Sequence, residues 1–355
     1  MSADFVTMEP IILEARKRLD QTAWDYLVGG SESETTLRRN RAGLDRIALR
    51  PRVLRDVSTV DTSTTFLGQR LRIPVLTAPV GSLQRFTPRG GAAAAEATSK
   101  FGTVPVISSV TEPELEETAS TGDGAKVFQL YIRGDMDWVR QMTGRIRAAG
   151  FSAFTLTVDT QVPSLRERPL ISGGPTPARP AVNYQSMMTW DFLDQLKELV
   201  GLPFMLKGVQ TAEDAALAVE HGVDVVWVSN HGGRQLDHGR GSVDTLPEIV
   251  SAVAGRAQIV LDGGIHRGTD ILKAIALGAD AVAIGRLQAW GLAAAGVDGL
   301  VRVLEILETQ MQSAMGLMGV TSLDQLGPEY LCAAEPVTMP HEMSAWPNIP
   351  GERIP

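Results

Sequence analysis

The chain has 355 residues, 44% hydrophobic and 21% charged, with a formal net charge of -8. That length admits two domains or one large α/β barrel, and an acidic balance without a basic stretch speaks against nucleic acid as a partner. Cys332 is the only cysteine, which excludes an intramolecular disulfide and a cysteine-rich metal site and suits a reducing compartment; the five histidines fall into no metal-ligating spacing, so no metal is expected.

The stretch from Met1 to Phe5 lacks the basic start and apolar run of a secretion signal, and no later run is long enough to span a bilayer. The chain reads as cytoplasmic, with no membrane partner. Pro10 to Leu27 predicts one helix, ended by Gly29 and Gly30. Residues 1–73 are too few for a sizeable core and read as an N-terminal helical extension packed on the remainder of the chain. From residue 74 short runs rich in Val, Ile, Leu and Thr alternate with segments of helical period, which is the pattern of repeated βα units.

Eight strands are predicted: Pro74 to Val80, Thr103 to Val110, Lys126 to Ile132, Ala153 to Asp159, Pro203 to Val209, Val225 to His231, Gln258 to Gly264 and Ala281 to Arg286. Helices are predicted between them at Gly91 to Phe101, Thr111 to Ser120, Asp135 to Ala149, Thr211 to His221, Leu246 to Ala254 and Thr269 to Leu277. Eight strands with crossover helices predict an α/β fold, a TIM (β/α)8 barrel over residues 74–315. The chain is read as a single domain, 1–355, closed by an extended tail over 333–355, rich in Pro and polar residues. Arg168 to Met188, with Gly173, Gly174, Pro175, Pro177 and Pro180, breaks the rhythm after strand four and is a lid candidate over the strands' carboxyl ends.

Barrel enzymes assemble their sites at those ends. The strands deliver Gly81, Ser108, Gln129, Tyr131, Thr157, Asp159, Lys207, Ser229 and His231 there, followed by Arg234, Asp262, Gly263, Gly264, Gly285 and Arg286. Burying so many polar groups is costly unless each finds a partner, so stability alone is a poor explanation. Asp262 to Gly264 and Gly285–Arg286 occupy the place where barrels commonly bind phosphate. Ser108, Gln129, Thr157 and Lys207 suit the edge of a flat heterocycle. Arg166 and Arg234 suit a carboxylate clamp, beside His231 as base, Tyr131, and Asp159 as the group that orients the imidazole.

With these residues in view the chain resembles the FMN-dependent 2-hydroxy acid oxidases and dehydrogenases, such as glycolate oxidase, lactate oxidase and mandelate dehydrogenase. The likeness covers about residues 20 to 320. It is most specific over Ser229 to Asp237, supported by Asp25–Tyr26, Gln129 to Tyr131, Thr157 to Asp159, Lys207–Gly208 and Asp262 to Gly264. The resemblance implies FMN as cofactor and oxidation of a 2-hydroxy acid to the 2-oxo acid, with oxygen or another acceptor reoxidising the flavin. It implies His231 as general base paired with Asp159, and Arg166, Arg234 and Tyr26 on the substrate carboxylate. Tyr131 is implied on the substrate hydroxyl, Lys207 at the flavin N1 and O2 edge, and Ser108, Gln129, Thr157 and Ser229 on the ring or ribityl chain. Pro79, Val80 and Gly81 are implied beside the ring, and Asp262, Gly263, Gly264, His266, Arg267, Gly285 and Arg286 about the phosphate. A homo-oligomer, a tetramer by analogy, is implied as well.

Several positions depart from that pattern. Val110 stands where several family members carry a bulky aromatic, which opens space and predicts a pocket for a substrate bulkier than glycolate, aryl or long-chain; Gly81 stands in place of an alanine next to the implied flavin N5, where it bears on oxygen access. His266 replaces the first arginine of an Arg-Arg pair beside the phosphate, leaving Arg267. Pro169 replaces an aspartate, and the lid is short. Two rival readings stay open: a non-redox lyase or aldolase using Lys207 as a Schiff base, and a flavin-binding homologue without turnover.

Overall fold

The computed structural model describes residues 5–174, 181–337, 339–341, 343–346 and 349. Eight parallel strands run Val75–Thr77, Val106–Ser108, Val127–Leu130, Ala153–Thr157, Phe204–Val209, Val225–Val228, Gln258–Asp262 and Ala281–Ile284. Strand two pairs with three and so on to eight, strand eight returns to strand one, and a bridge from Thr77 to Pro105 joins strands one and two, nearly closing the barrel.

Side chains alternate across each strand, so every strand feeds two cores. Leu76, Val106, Val127, Ala153, Met205, Val225, Trp227, Val260 and Ala281 form the inner cluster, whereas Ile107, Phe128, Phe154, Leu206, Val226 and Leu261 pack outward under the helices. The inward rows turn polar two residues on: Val106 leads to Ser108, Val127 to Gln129, Met205 to Lys207, Trp227 to Ser229 and Val260 to Asp262. Period-two geometry therefore carries polar side chains to one end of an apolar core. Phe66 and Leu71, from the antiparallel hairpin Thr64–Phe66 and Gln69–Leu71, join the inner cluster at the opposite end.

The amino-terminal region differs from expectation. Instead of one helix there are two, Met8–Arg18 and Gln21–Val28, because Asp20 caps the second by accepting from the Ala23 amide at 2.7 Å. A third helix, Thr35–Asp45, was not expected, and the expected helix Thr111 to Ser120 is reduced to Leu115–Ala119 behind Pro113. The helix after strand eight, Arg286–Met318, bends at Ala295 and Gly296. The lid candidate holds a short helix, Glu167–Ile171, and a 3-10 turn, Tyr184–Met187; Pro175, Pro177 and Pro180 lie outside the described residues.

The tail is docked, not merely extended, in its described part. Leu331–Ala333 pairs with Ile47–Leu49, which leaves Cys332 exposed, and Met343, Trp346 and Ile349 are buried. Among the described residues no helix is long and apolar enough to cross a membrane.

Candidate active site

A cavity of about 750 Å³ opens at the strands' carboxyl ends. Tyr26, Pro79, Val80, Gly81, Val110, Tyr131, Arg166, Lys207, His231 and Arg234 line it, as do Asp262, Gly263, Gly264, His266, Gly285 and Arg286. Ser108, Gln129, Thr157 and Ser229 end the inward rows, each 2% exposed or less. The segment Arg168 to Met188 contributes Pro169, Leu170, Asn183 and Gln185 to the wall, and Pro163 and Arg166 line it just ahead of that segment.

His231 heads three successive left-handed residues, with φ of 59° followed by 66° at Gly232 and 75° at Gly233. A β-carbon is disfavoured in that region, so only the surrounding contacts keep His231 there. Its amide donates to Ser229 Oγ at 3.0 Å, and Gly233 lies so close to Leu37 that an added Cβ would meet the Leu37 amide nitrogen at 2.5 Å. His231 Nδ1 lies 3.0 Å from Asp159 Oδ1; a carboxylate only accepts, so Nδ1 carries the proton and Nε2 keeps the lone pair. Burial pulls the imidazole pKa below its usual 6.5, against the opposing pull of Asp159 and with help from Lys207. Burial works to raise Asp159, but His231 and Lys207 outweigh it and hold the carboxyl below its ordinary range. The pair at neutral pH is a neutral imidazole oriented by a carboxylate.

Arg234 is fastened from behind. Its Nη1 donates to Tyr26 O at 2.6 Å and Gly29 O at 2.9 Å, so it also caps the carboxyl end of helix Gln21–Val28. The guanidinium lies 4.9 Å from the centre of the Tyr26 ring. Burial and the neighbouring Arg166 charge pull its pKa down to about 9, so it remains a cation at neutral pH. Arg166 donates through Nη2 to Gln235 Oε1 at 3.0 Å and through Nε to Ser164 Oγ at 3.2 Å. Two guanidiniums facing one cavity repel each other, and an anion between them would relieve that repulsion. Burial, then Asp159, pushes the Tyr131 hydroxyl up, so it stays protonated.

Several supporting residues were not anticipated. Gln235 lies within the Ser229 to Asp237 run, so its neighbours were a signal, and its Nε2 also donates to Asp159 O at 2.9 Å. Ser164 and Arg85 carried no motif; Arg85 lines the cavity with its guanidinium 5.1 Å from the Tyr26 ring centre.

At the barrel's centre Lys207 Nζ donates to Ser229 Oγ at 2.9 Å and faces Asp262 Oδ2 at 3.5 Å. Ser229 Oγ donates to Asp262 Oδ1 at 2.7 Å while accepting from Lys207 and from the His231 amide. The hydroxyl's one donor and two acceptor sites are thus all engaged within the protein, where Ser229 braces Lys207, Asp262 and the His231 amide. The Asp262 carboxylate is likewise engaged, accepting from Trp227 Nε1 at 3.0 Å, and a phosphate would be repelled by it.

Other groups have capacity left. Ser108 Oγ donates to Gln129 Oε1 at 2.7 Å, while Gln129 Nε2 and Thr157 Oγ1 are buried without a partner among the described residues. Gly263 and Gly264 have φ of 99° and 82°, and a Cβ on Gly264 would come within 2.8 Å of Asn40 O. Arg286 lines the same end and donates to Gly29 O at 3.0 Å and Gly232 O at 3.1 Å. Unpartnered donors, a glycine-lined end and a cation fit a flat heterocycle carrying an anionic tail.

Arg267 requires a correction. It was expected on the phosphate, but its Nε and Nη2 donate to Ala345 O at 3.0 and 2.6 Å and it pairs with Glu9 at 3.4 Å, so the folded tail and first helix draw it out of the cavity wall. Gly81 and Val110 are coupled: a Cβ on Gly81 would lie 2.7 Å from Val110 Cγ2. Val110 therefore leans into space that Gly81 leaves.

Comparison with known proteins agrees with this geometry. The chain is 42% identical to L-lactate oxidase of Nostoc sp. over 347 residues, covering 89% of this chain and 95% of that protein. It is 38% identical to 2-hydroxyacid oxidase 2 of Rattus norvegicus over 336 residues, covering 89% and 95%. The crystal structure of mandelate oxidase superposes with a TM-score of 0.86 at 36% identity, covering 94% of this chain and 100% of that one. Residues 15–189 and 181–333 match the family described as FMN-dependent dehydrogenase. The chain belongs to that family and is an FMN-dependent 2-hydroxy acid oxidising enzyme with a TIM-barrel fold.

Proposed function

We propose that the enzyme oxidises a 2-hydroxy acid bulkier than glycolate, aryl or long-chain, with His231 as the base. The pairing of His231 Nδ1 with Asp159 Oδ1 at 3.0 Å, in a cavity shared with Arg166 and Arg234, carries this reading. Arg166 and Arg234 hold the substrate carboxylate, and the Tyr26 ring under Arg234 fixes the height of that clamp. His231 Nε2 takes a proton from the substrate, and Asp159 stabilises the imidazolium that results. Tyr131, protonated, steadies the substrate oxygen by hydrogen bonding. FMN, when bound, takes up the two electrons of the oxidation. Gln129 and Thr157 supply hydrogen bonds to the ring or ribityl chain, Lys207 supplies positive charge at the ring edge, and Gly264, Gly285, His266 and Arg286 surround the phosphate.

Apolar wall residues support the larger substrate: Phe86, Val110, Ile132, Val162 and Leu170 line the cavity. The lyase reading loses its support, because Lys207 is ion-paired with Asp262 and an ammonium is not the free amine that a Schiff base needs. We further propose a cytoplasmic homo-oligomer whose reduced flavin passes electrons to oxygen or another acceptor. Anaerobic mixing with mandelate, a long-chain 2-hydroxy acid, lactate and glycolate tests substrate choice: flavin bleaching fastest with the first two is expected, and a clear preference for glycolate refutes it.

A further inference from the structure

We propose that the tail segment Met343–Trp346 is a positioning element for the cofactor's phosphate end: Trp346 clamps His266 so that its accessible ring nitrogen meets the FMN phosphate as a hydrogen-bond donor. The proposal rests on placing the phosphate at the ends of strands seven and eight.

His266 is only 6% exposed, yet it lines the cavity beside Gly264 and Arg286. Its ring centre lies 4.4 Å from that of Trp346 and 6.3 Å from that of Trp290, and the two indoles meet edge to face at 5.3 Å. His266 Nδ1 is buried in that aromatic nest with no partner, whereas Nε2 makes no hydrogen bond among the described residues and keeps accessible surface. Nε2 is thus the nitrogen presented to the cavity, and the tautomer protonated there offers one N–H. Burial in that apolar nest, then the nearby Arg41, pulls the imidazole pKa well below its usual value in the absence of a bound anion.

The backbone below the ring is rigid without the tail. The amides of His266 and Arg267 each donate to Asp270 Oδ2 at 3.0 Å, and Asp270 is held by Arg41, which also donates to Gly264 O at 2.9 Å. What those bonds leave undetermined is the imidazole's rotation, and Trp346 supplies the stop. The tail is itself latched, since Ala345 O accepts from Arg267 and the Arg267 guanidinium lies 5.9 Å from the Trp346 ring centre. The arginine that was expected on the phosphate acts on the residue that orients its neighbour.

The test is a fluorescence titration of the full-length apoprotein with FMN and with riboflavin, which lacks the phosphate. Trp346→Ala is expected to raise the FMN Kd about tenfold, the effect of losing one well-aligned hydrogen bond to a charged group, while changing the riboflavin Kd less than about twofold. Trp346→Phe, which keeps an aromatic stop, should recover most of the FMN affinity, and Arg267→Met should fall between. Thermal melts identify any variant that fails to fold, in which case Trp346→Phe against Arg267→Met decides. Equal weakening of both flavins, or an unchanged FMN Kd in Trp346→Ala, overturns the clamp. Wild-type protein that binds both flavins equally overturns the phosphate placement and the clamp with it.

Discussion

At the substrate end of the cavity Arg166 and Arg234 are fastened by backbone carbonyls and polar side chains, while at the ends of strands seven and eight His266 is wedged between two tryptophans. The first arrangement holds cations in place without neutralising them, because carbonyls, amides and hydroxyls satisfy N–H groups but carry no net charge. The second holds a ring by aromatic contact and leaves charge to Arg286. Both ends borrow their anchors from outside the barrel: Tyr26 and Gly29 from the amino-terminal extension, Ala345 and Trp346 from the tail. The barrel's loops hold His231 and Arg166 through Asp159, Gln235 and Ser164, and the chain's two ends add contacts to Arg234 and His266.

The contrast is broken most severely at the base. His231→Ala is expected to lower kcat by about 10² to 10⁴ with FMN content unchanged, read by stopped-flow bleaching; bleaching at the wild-type rate would remove His231 from the mechanism. Arg166→Met should cost about 10² in kcat/KM, chiefly through KM, since charge-assisted bidentate contacts are lost. An Arg166→Met enzyme with unaltered KM would place the carboxylate elsewhere.

Asp159→Asn should lower kcat/KM about tenfold or more, and its pH profile carries a sign. The His231 pKa lies below 6.5, so wild-type kcat/KM should fall only as pH drops through a value under 6.5. Asp159 acts to raise that pKa, so its removal should move the acid limb to lower pH. An upward shift would contradict the pairing. Gly81→Ala should destabilise the protein by about 1 to 3 kcal/mol through overpacking against Val110, and Val110→Ala in the same chain should recover most of it; additive melting shifts would show that the two positions are independent.

The smallest effect concerns the joint between motif and extension. Asp237 Oδ1 accepts from the Thr36 amide at 2.8 Å and Oδ2 from Ser33 Oγ at 2.7 Å. Burial opposes its ionisation, but these bonds hold its pKa down to about 2. Asp237→Ala should lower stability by about 1 kcal/mol, as loss of a helix cap does, with little change in kcat.

Much of this was legible in the chain. Strand runs such as Val225 to Val228 are continuous apolar segments whose length and β-branched content are local properties, and all eight strands fall inside the predicted spans. The Ser229 to Asp237 run was legible because a base, a cation and two glycines sit on adjacent residues. Helix ends were harder. Asp20 divides one apolar period into two helices, since a cap interrupts the backbone without interrupting the hydrophobic pattern. The helix Thr35–Asp45 escaped notice because its sequence is mostly polar and its support comes from Asp237, distant in the chain.

By itself, then, the sequence determined the alternation of strands and helices, the inward rows that end in polar residues, and the chemistry available at those ends. These depend on periodicities of two and 3.6 and on residue types, which survive without knowledge of neighbours. Tertiary structure decided which polar group meets which. It joined Asp159 to His231, turned Arg267 to Ala345 and engaged the Ser229 hydroxyl with Lys207, Asp262 and the His231 amide. Hydrogen bonds form between atoms about 3 Å apart with aligned donors, and only packing, not spacing along the chain, brings such atoms together.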